Sequence, residues 1–99
     1  MCTVGSEENA GLIAKTLVEE KLAACVNTIP KIKSVYSWKG EIVEDNEILL
    51  LIKTRGQMYT QVEARLKELH TYEVPEIIAF DIAKGSKDYL GWIETVTQH

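Results

Sequence analysis

Two strand-like stretches joined by Lys39-Gly40 constrain this chain more than any other feature. Upstream, Ile32, Ser34, Tyr36 and Trp38 alternate with Lys33, Val35, Ser37 and Lys39, the period of an extended strand with two different faces. Downstream, Glu41-Ile42-Val43 leads through a polar interruption at Glu44-Asp45-Asn46 to the run Ile48-Leu49-Leu50-Leu51-Ile52. Glycine tolerates positive φ, so Lys39-Gly40 between two such stretches predicts a hairpin turn and a hairpin over residues 32–52. Strand character begins upstream, near Ala23. Pro30 has no N–H to give to a ladder, which predicts a bulge or bend there. The five-residue apolar run also suits a buried helix. It is short, however, and Lys53-Thr54-Arg55-Gly56 ends it, so a central strand covered on both faces is expected.

The flanking segments alternate in type. Residues 1–4 are short and apolar, and Gly5-Ser6 offers a turn and an N-cap before Glu7 and Glu8, whose charge suits a helix N-terminus. Ala10, Ile13, Ala14 and Leu17 recur at helical spacing and predict a helix over 7–21. Met58, Val62, Leu66 and Leu69 form one side of a second helix over 57–69. Pro75 disfavours helix at Val74, and 77–82 reads as the last main strand. Gly85-Ser86 opens a short final helix carrying Tyr89, Leu90, Trp92 and Ile93. The order is βαββαβ plus a short helix, a ferredoxin-like α+β sandwich with two helices on one face of a four-stranded antiparallel sheet.

At 99 residues and 45% hydrophobic content the chain is a single domain, residues 1–99, with a modest core to which association could add stability. A net charge of −4 argues against nucleic acid and anionic membrane as partners, since both call for a concentrated basic surface. No apolar run approaches the ~20 residues of a membrane-spanning helix. Cys2 and Cys25 do not make a disulfide framework; they suit a reducing compartment or a metal role, and the expected location is cytoplasmic. No CxxC, HExxH, P-loop or GxSxG signature is present, and the chain is not expected to be an enzyme. His70, Tyr72 and Glu73 are the only acid–base groups that would support one.

The unbroken order KLAACVN, IP, SVYSWKGEI, ILLLIKT, HTYEVPEIIA and YLGWI, from Met1 to about Trp92, closely resembles the CutA divalent-cation tolerance family. The resemblance implies the same ferredoxin-like fold and a homotrimer built by pairing of edge strands. The sequence makes this plausible, because a long hairpin holds more strand than two helices can cover, and an open edge must be blunted or paired. Relatives carry several residues before the Cys-Thr found here as Cys2-Thr3, so the first strand is expected to be truncated at its N-terminus.

Three sets of residues carry the candidate chemistry. Cys2 and His70 match positions that the resemblance associates with copper binding. In a ferredoxin-like sheet the last strand lies antiparallel beside the first, which brings the His70 region towards Cys2, and a thiolate with an imidazole suits copper or zinc. Two ligands make an incomplete site, so Glu73, Glu76 or a neighbouring subunit would have to complete it. The alternative is that His70 only ends the second helix as a favoured cation. Cys25, in Ala-Ala-Cys-Val, reads as a small buried hydrophobe. Tyr36, Trp38, Lys53, Tyr72 and Glu73 match positions that line or border an intersubunit cleft in the family, with the make-up of a small-ligand pocket. Interface anchoring by Tyr36 and Trp38 is the competing reading. The acidic run Glu41, Glu44, Asp45, Glu47 offers oxygen ligands but reads as a solvated face. The expected function is a homotrimeric metal-binding protein of divalent-cation tolerance, with copper as the leading ion. The alternative is a trimeric signalling or scaffold protein, PII-like, binding a small ligand or a partner protein at the cleft.

Overall fold

A computed structural model describes residues 1–97. The elements are β1 (Cys2–Val4), α1 (Glu7–Glu19), β2 (Cys25–Trp38), β3 (Glu41–Lys53), a 3-10 turn (Gly56–Met58), α2 (Tyr59–Leu69) and α3 (Lys87–Val96). The strands form an antiparallel sheet in the order β1-β3-β2.

The long hairpin forms as the sequence predicts. Lys39 and Gly40 both take positive φ, 50° and 81°, which is the two-residue turn that matches strand twist. Ile29 pairs with Leu49 and Ile32 with Glu47, so three steps on β2 answer two on β3. The extra residue is a bulge at Pro30-Lys31, where Lys31 adopts φ 59° and the proline's missing N–H leaves no ladder bond to lose. No interruption occurs at 44–46. β3 runs through those residues, because pairing with Lys33, Ser34 and Val35 satisfies their backbone whatever their side chains.

Helix α1 starts on Ser6, whose hydroxyl accepts the Asn9 N–H at 3.1 Å. It stops two residues earlier than predicted, since Lys21 turns left-handed at φ 60° while Leu22 and Ala23 both donate to the Leu17 carbonyl. Ile13 and Leu17 from α1 and Val62 and Leu66 from α2 close over Val4, Ile48 and Leu50, and this is the core. Both helices lie on one face of the sheet. Leu49 and Leu51, on the other face of β3, remain half-exposed, which corrects the expectation of a strand covered on both sides.

The fourth strand is also corrected. Among the described residues the segment 77–82 forms one bridge, Ile77 to Cys2, continued by the Ile78 N–H donating to the Met1 carbonyl at 3.1 Å, and no regular strand. Helix α3 opens on Ser86 and is held at its far end by Arg55, which donates to the Thr97 hydroxyl and carbonyl at 2.9 and 2.7 Å.

Candidate functional site

The sheet face turned away from α1 and α2 carries a cleft of about 620 Å³. Its floor follows from strand alternation: Ser34, Tyr36 and Trp38 on β2 face the same way as Asp45 and Glu47 on β3, with Ser34 directly opposite Asp45. Its wall is the segment after α2, with Tyr72, Glu73 and Glu76.

Two phenol–carboxylate pairs hold this arrangement. Tyr36 donates its hydroxyl to Asp45 Oδ2 at 2.6 Å, and Tyr72 donates to Glu47 Oε2 at 2.8 Å. Both phenols are pushed to ionise less readily. For Tyr36 the bond to Asp45 is the main cause; for Tyr72 it is burial, then the bond to Glu47. Both therefore stay donors at neutral pH. Gly5 makes room for this wall, since a Cβ there would lie 2.9 Å from the Tyr72 hydroxyl oxygen.

The electrostatics of the cleft have one sign. Asp45, Glu47, Glu73 and Glu76 line it, no lysine or arginine does, and none of the ion pairs among the described residues involves these four carboxylates. Glu47 is only 7% exposed. A buried carboxylate is ordinarily matched by a cation. Lys39 places its ammonium 5.7 Å from the Trp38 ring centroid, within cation–π range.

Of the five residues expected at the cleft, Tyr36, Trp38, Tyr72 and Glu73 come together and Lys53 does not. Lys53 pairs with Cys25 and bonds the Asn27 side-chain oxygen at the opposite end of the hairpin, roughly 40 Å of strand from Trp38. Asp45, Glu47 and Glu76 were not expected there. The signal for two of them was present: Asp45 and Glu47 stand two apart, on the parity that faces Tyr36 once the turn at Lys39-Gly40 sets the register.

Cys2 and His70 meet on one backbone oxygen. His70 ends α2 as its C-cap, and its Nε2 lies 2.7 Å from the Thr3 carbonyl, with the Cys2 thiol 3.7 Å from the same oxygen. His70 Nδ1 accepts the Tyr72 N–H at 3.0 Å. With Nδ1 accepting, Nε2 is the ring nitrogen that faces the Thr3 carbonyl as donor. Cys2 is fully buried. Burial pushes its thiol up to about 11, the chain's N-terminal charge opposes this, and Glu76 and Glu47 add to it. With both ring nitrogens engaged in hydrogen bonds, this pair offers a metal ion no free imidazole nitrogen in this conformation. Among the described residues no three His, Cys, Asp or Glu side chains converge to hold one. Cys25 is half-exposed rather than buried; it lies at the start of β2, outside the core cluster under the helices.

Comparison with known proteins follows the fold closely. The family model described as CutA1 divalent ion tolerance protein matches residues 1–96. The divalent-cation tolerance protein CutA of Thermus thermophilus is 53% identical over 97 residues, covering 98% of this chain and 94% of that one. Protein CutA of Mus musculus is 44% identical over 97% of this chain, which spans 54% of the mouse protein. Among solved structures, Cut A1 from Thermus thermophilus superposes with a TM-score of 0.95 at 52% identity, covering 98% of this chain and 94% of that chain. CutA from Archaeoglobus fulgidus gives 0.95 at 41%, with the same coverage. With its motifs, its fold and almost its whole length matched, this chain belongs to the CutA1 divalent ion tolerance family.

Proposed function

We propose that the chain works as a homotrimer in divalent-cation tolerance, drawing cations to the acid-lined cleft beside the hairpin. The observation that carries this reading is the set of four cleft carboxylates with no basic partner. Copper is the leading ion, because affinity for nitrogen and oxygen sites peaks at Cu(II) along the first-row series. Completion of a ligand set falls to a second copy, since no three ligands converge among the described residues of one chain. Self-assembly is supported by the apolar side chains left bare on the outer hairpin, Val35 at 63% and Ile42 at 77% exposed. The protein acts as a binder rather than a catalyst, in the cytoplasm.

Titration with Cu(II), Zn(II) and Mg(II) by calorimetry, alongside sedimentation equilibrium, tests both halves. Expected are copper binding tighter than zinc and magnesium, a mass of three chains, and loss of metal binding in Asp45→Asn/Glu47→Gln with Cys2→Ser and His70→Ala unaffected. Metal affinity lost instead in the Cys2 and His70 variants would move the site to that pair. A mass of one chain at micromolar concentration would end the assembly half.

A second reading, a PII-like small-ligand binder, is favoured by the size of the cleft. A volume of about 620 Å³ lies in the range of small-molecule pockets and far exceeds that of a single ion.

A further inference from the structure

We propose that Asn9 holds one internal water molecule at a joint between the first turn of α1 and the end of α2, a site inside the helix layer and separate from the cleft.

Asn9 is 6% exposed and its backbone N–H is given to the Ser6 hydroxyl that caps α1. Its side chain reaches α2. Nδ2 donates at 3.0 Å to the carbonyl of Leu69, the last residue of α2, across 60 positions of sequence. That carbonyl is one of the four that a helix end cannot satisfy within itself, so Asn9 caps α2 from outside. The same bond fixes which way the amide points, because turning it over would set its oxygen against the Leu69 oxygen.

The other end of the amide then needs a donor. Asn9 Oδ1 is sealed from solvent and accepts no hydrogen bond from the chain, and no other buried side-chain nitrogen or oxygen among the described residues is in that condition. Leaving a buried acceptor unmet is costly, which is why such atoms are ordinarily paired with protein or with ordered water. A neighbouring copy cannot supply the donor, since an atom closed off within one chain stays closed off in any assembly. Water is the small neutral donor that fits. Two polar groups already bonded to Asn9 can complete its shell. The Leu69 carbonyl keeps a second lone pair, and the Ser6 hydroxyl, having accepted the Asn9 N–H, keeps its proton to give. His70 and Tyr72 leave α2 directly beyond Leu69, so this joint sits at the root of the segment that forms the cleft wall.

The test is a crystal structure of the intact protein at about 1.5 Å resolution, joined to water–amide NOE spectroscopy in solution. Expected are an ordered water about 2.7–3.2 Å from Asn9 Oδ1 in every copy and an NOE from it to the Asn9 side-chain amide. Asn9→Asp keeps an acceptor and gives up the donor, so it should keep the water; Asn9→Leu should exclude it. In both variants hydrogen exchange at the His70 amide, which donates to the Leu66 carbonyl at 2.8 Å, should quicken by roughly tenfold relative to the Leu50 amide in the same sample. That ratio separates a loosened joint from a general loss of stability. A protein donor found on Oδ1, no water in the unmodified protein, water retained in Asn9→Leu, or an unchanged exchange ratio would each overturn the proposal. The crystal and NOE measurements on the unmodified protein decide it even where a variant fails to fold.

Discussion

The helix-covered end of the sheet and the far end of the hairpin are built from similar residues and end in opposite conditions. Under α1 and α2, Ile13, Leu17, Leu50 and Leu66 are sealed from solvent. Along the outer hairpin, Val35 is 63% and Ile42 77% exposed. Length explains the difference. Helices of 13 and 11 residues reach about 20 and 17 Å, whereas strands of 14 and 13 residues reach about 45 Å. The helices can cover less than half of the hairpin. The chain therefore holds apolar surface of two kinds, one used for its own stability and one left open for contact.

The largest expected effect lies in the sealed half. Leu50→Ala should lower the unfolding free energy by about 2–5 kcal/mol in guanidinium titration, through lost burial and the cavity left at the centre of β3. Ile42→Ala should change it by less than about 0.5 kcal/mol if read on the single chain. Similar losses at the two positions would erase the distinction between the halves.

Gly5→Ala sharpens the boundary between them, because Gly5 sits beside the cleft wall at the end of β1. The added methyl must displace the Tyr72 ring, and a loss of about 1–3 kcal/mol is expected. In a Tyr72→Phe background the loss should shrink, since the hydroxyl that the methyl meets is gone. An undiminished loss in the double variant would show that the close approach is not the cause.

A pH dependence distinguishes the two cysteines. The folded chain holds the Cys2 thiol at about 11 against an ordinary 9.0, so the unfolded chain gives up its proton first. Stability attached to the neutral thiol is fully present below pH 9 and is lost as pH rises from about 9 to about 11. Cys2→Ala should flatten that part of the curve. At pH 8 a thiol reagent should label half-exposed Cys25 well before buried Cys2; equal labelling rates would contradict the burial of Cys2.

The smallest effect is expected on the outer surface of the helix layer. Arg65 donates twice to Glu20, at 3.0 and 2.9 Å, and this bond holds the Glu20 carboxyl below its ordinary 4.5. Its contribution is present at neutral pH and fades as acid titrates the carboxylate below that value. Glu20→Gln should produce a barely measurable shift in melting temperature at pH 7 that shrinks as the pH is lowered. A shift rivalling that of Leu50→Ala would contradict the weakness of exposed pairs.

Most of the local structure was legible because it depends on near neighbours. The turn at Lys39-Gly40, the bulge at Pro30, the Ser6 and Ser86 caps and the core stripe of α1 each follow from a few adjacent residues. The acidic stretch of β3 was misread for the opposite reason. Glu44, Asp45 and Asn46 are poor strand formers taken alone, and the pairing with β2 overrides that weak preference. Cys25 was misread as buried because burial depends on which side chains the helices cover: Cys2 belongs to the core cluster and Cys25, at the start of β2, does not.

What the sequence by itself determined is the set of elements, their order and the motifs of the family, since periodicity, caps and turn residues act over one or two helical turns. What only the tertiary structure decided is the site. Asp45 and Glu47 become cleft walls only when the hairpin register sets them facing Tyr36 and Tyr72 folds over from a segment 25 residues beyond Glu47. Cys2 and His70 lose their place as ready ligands because the Thr3 carbonyl and the Tyr72 N–H take both ring nitrogens. The physical reason is common to both. A side chain's chemistry is set by the partners that satisfy or desolvate it, and here those partners come from far along the chain.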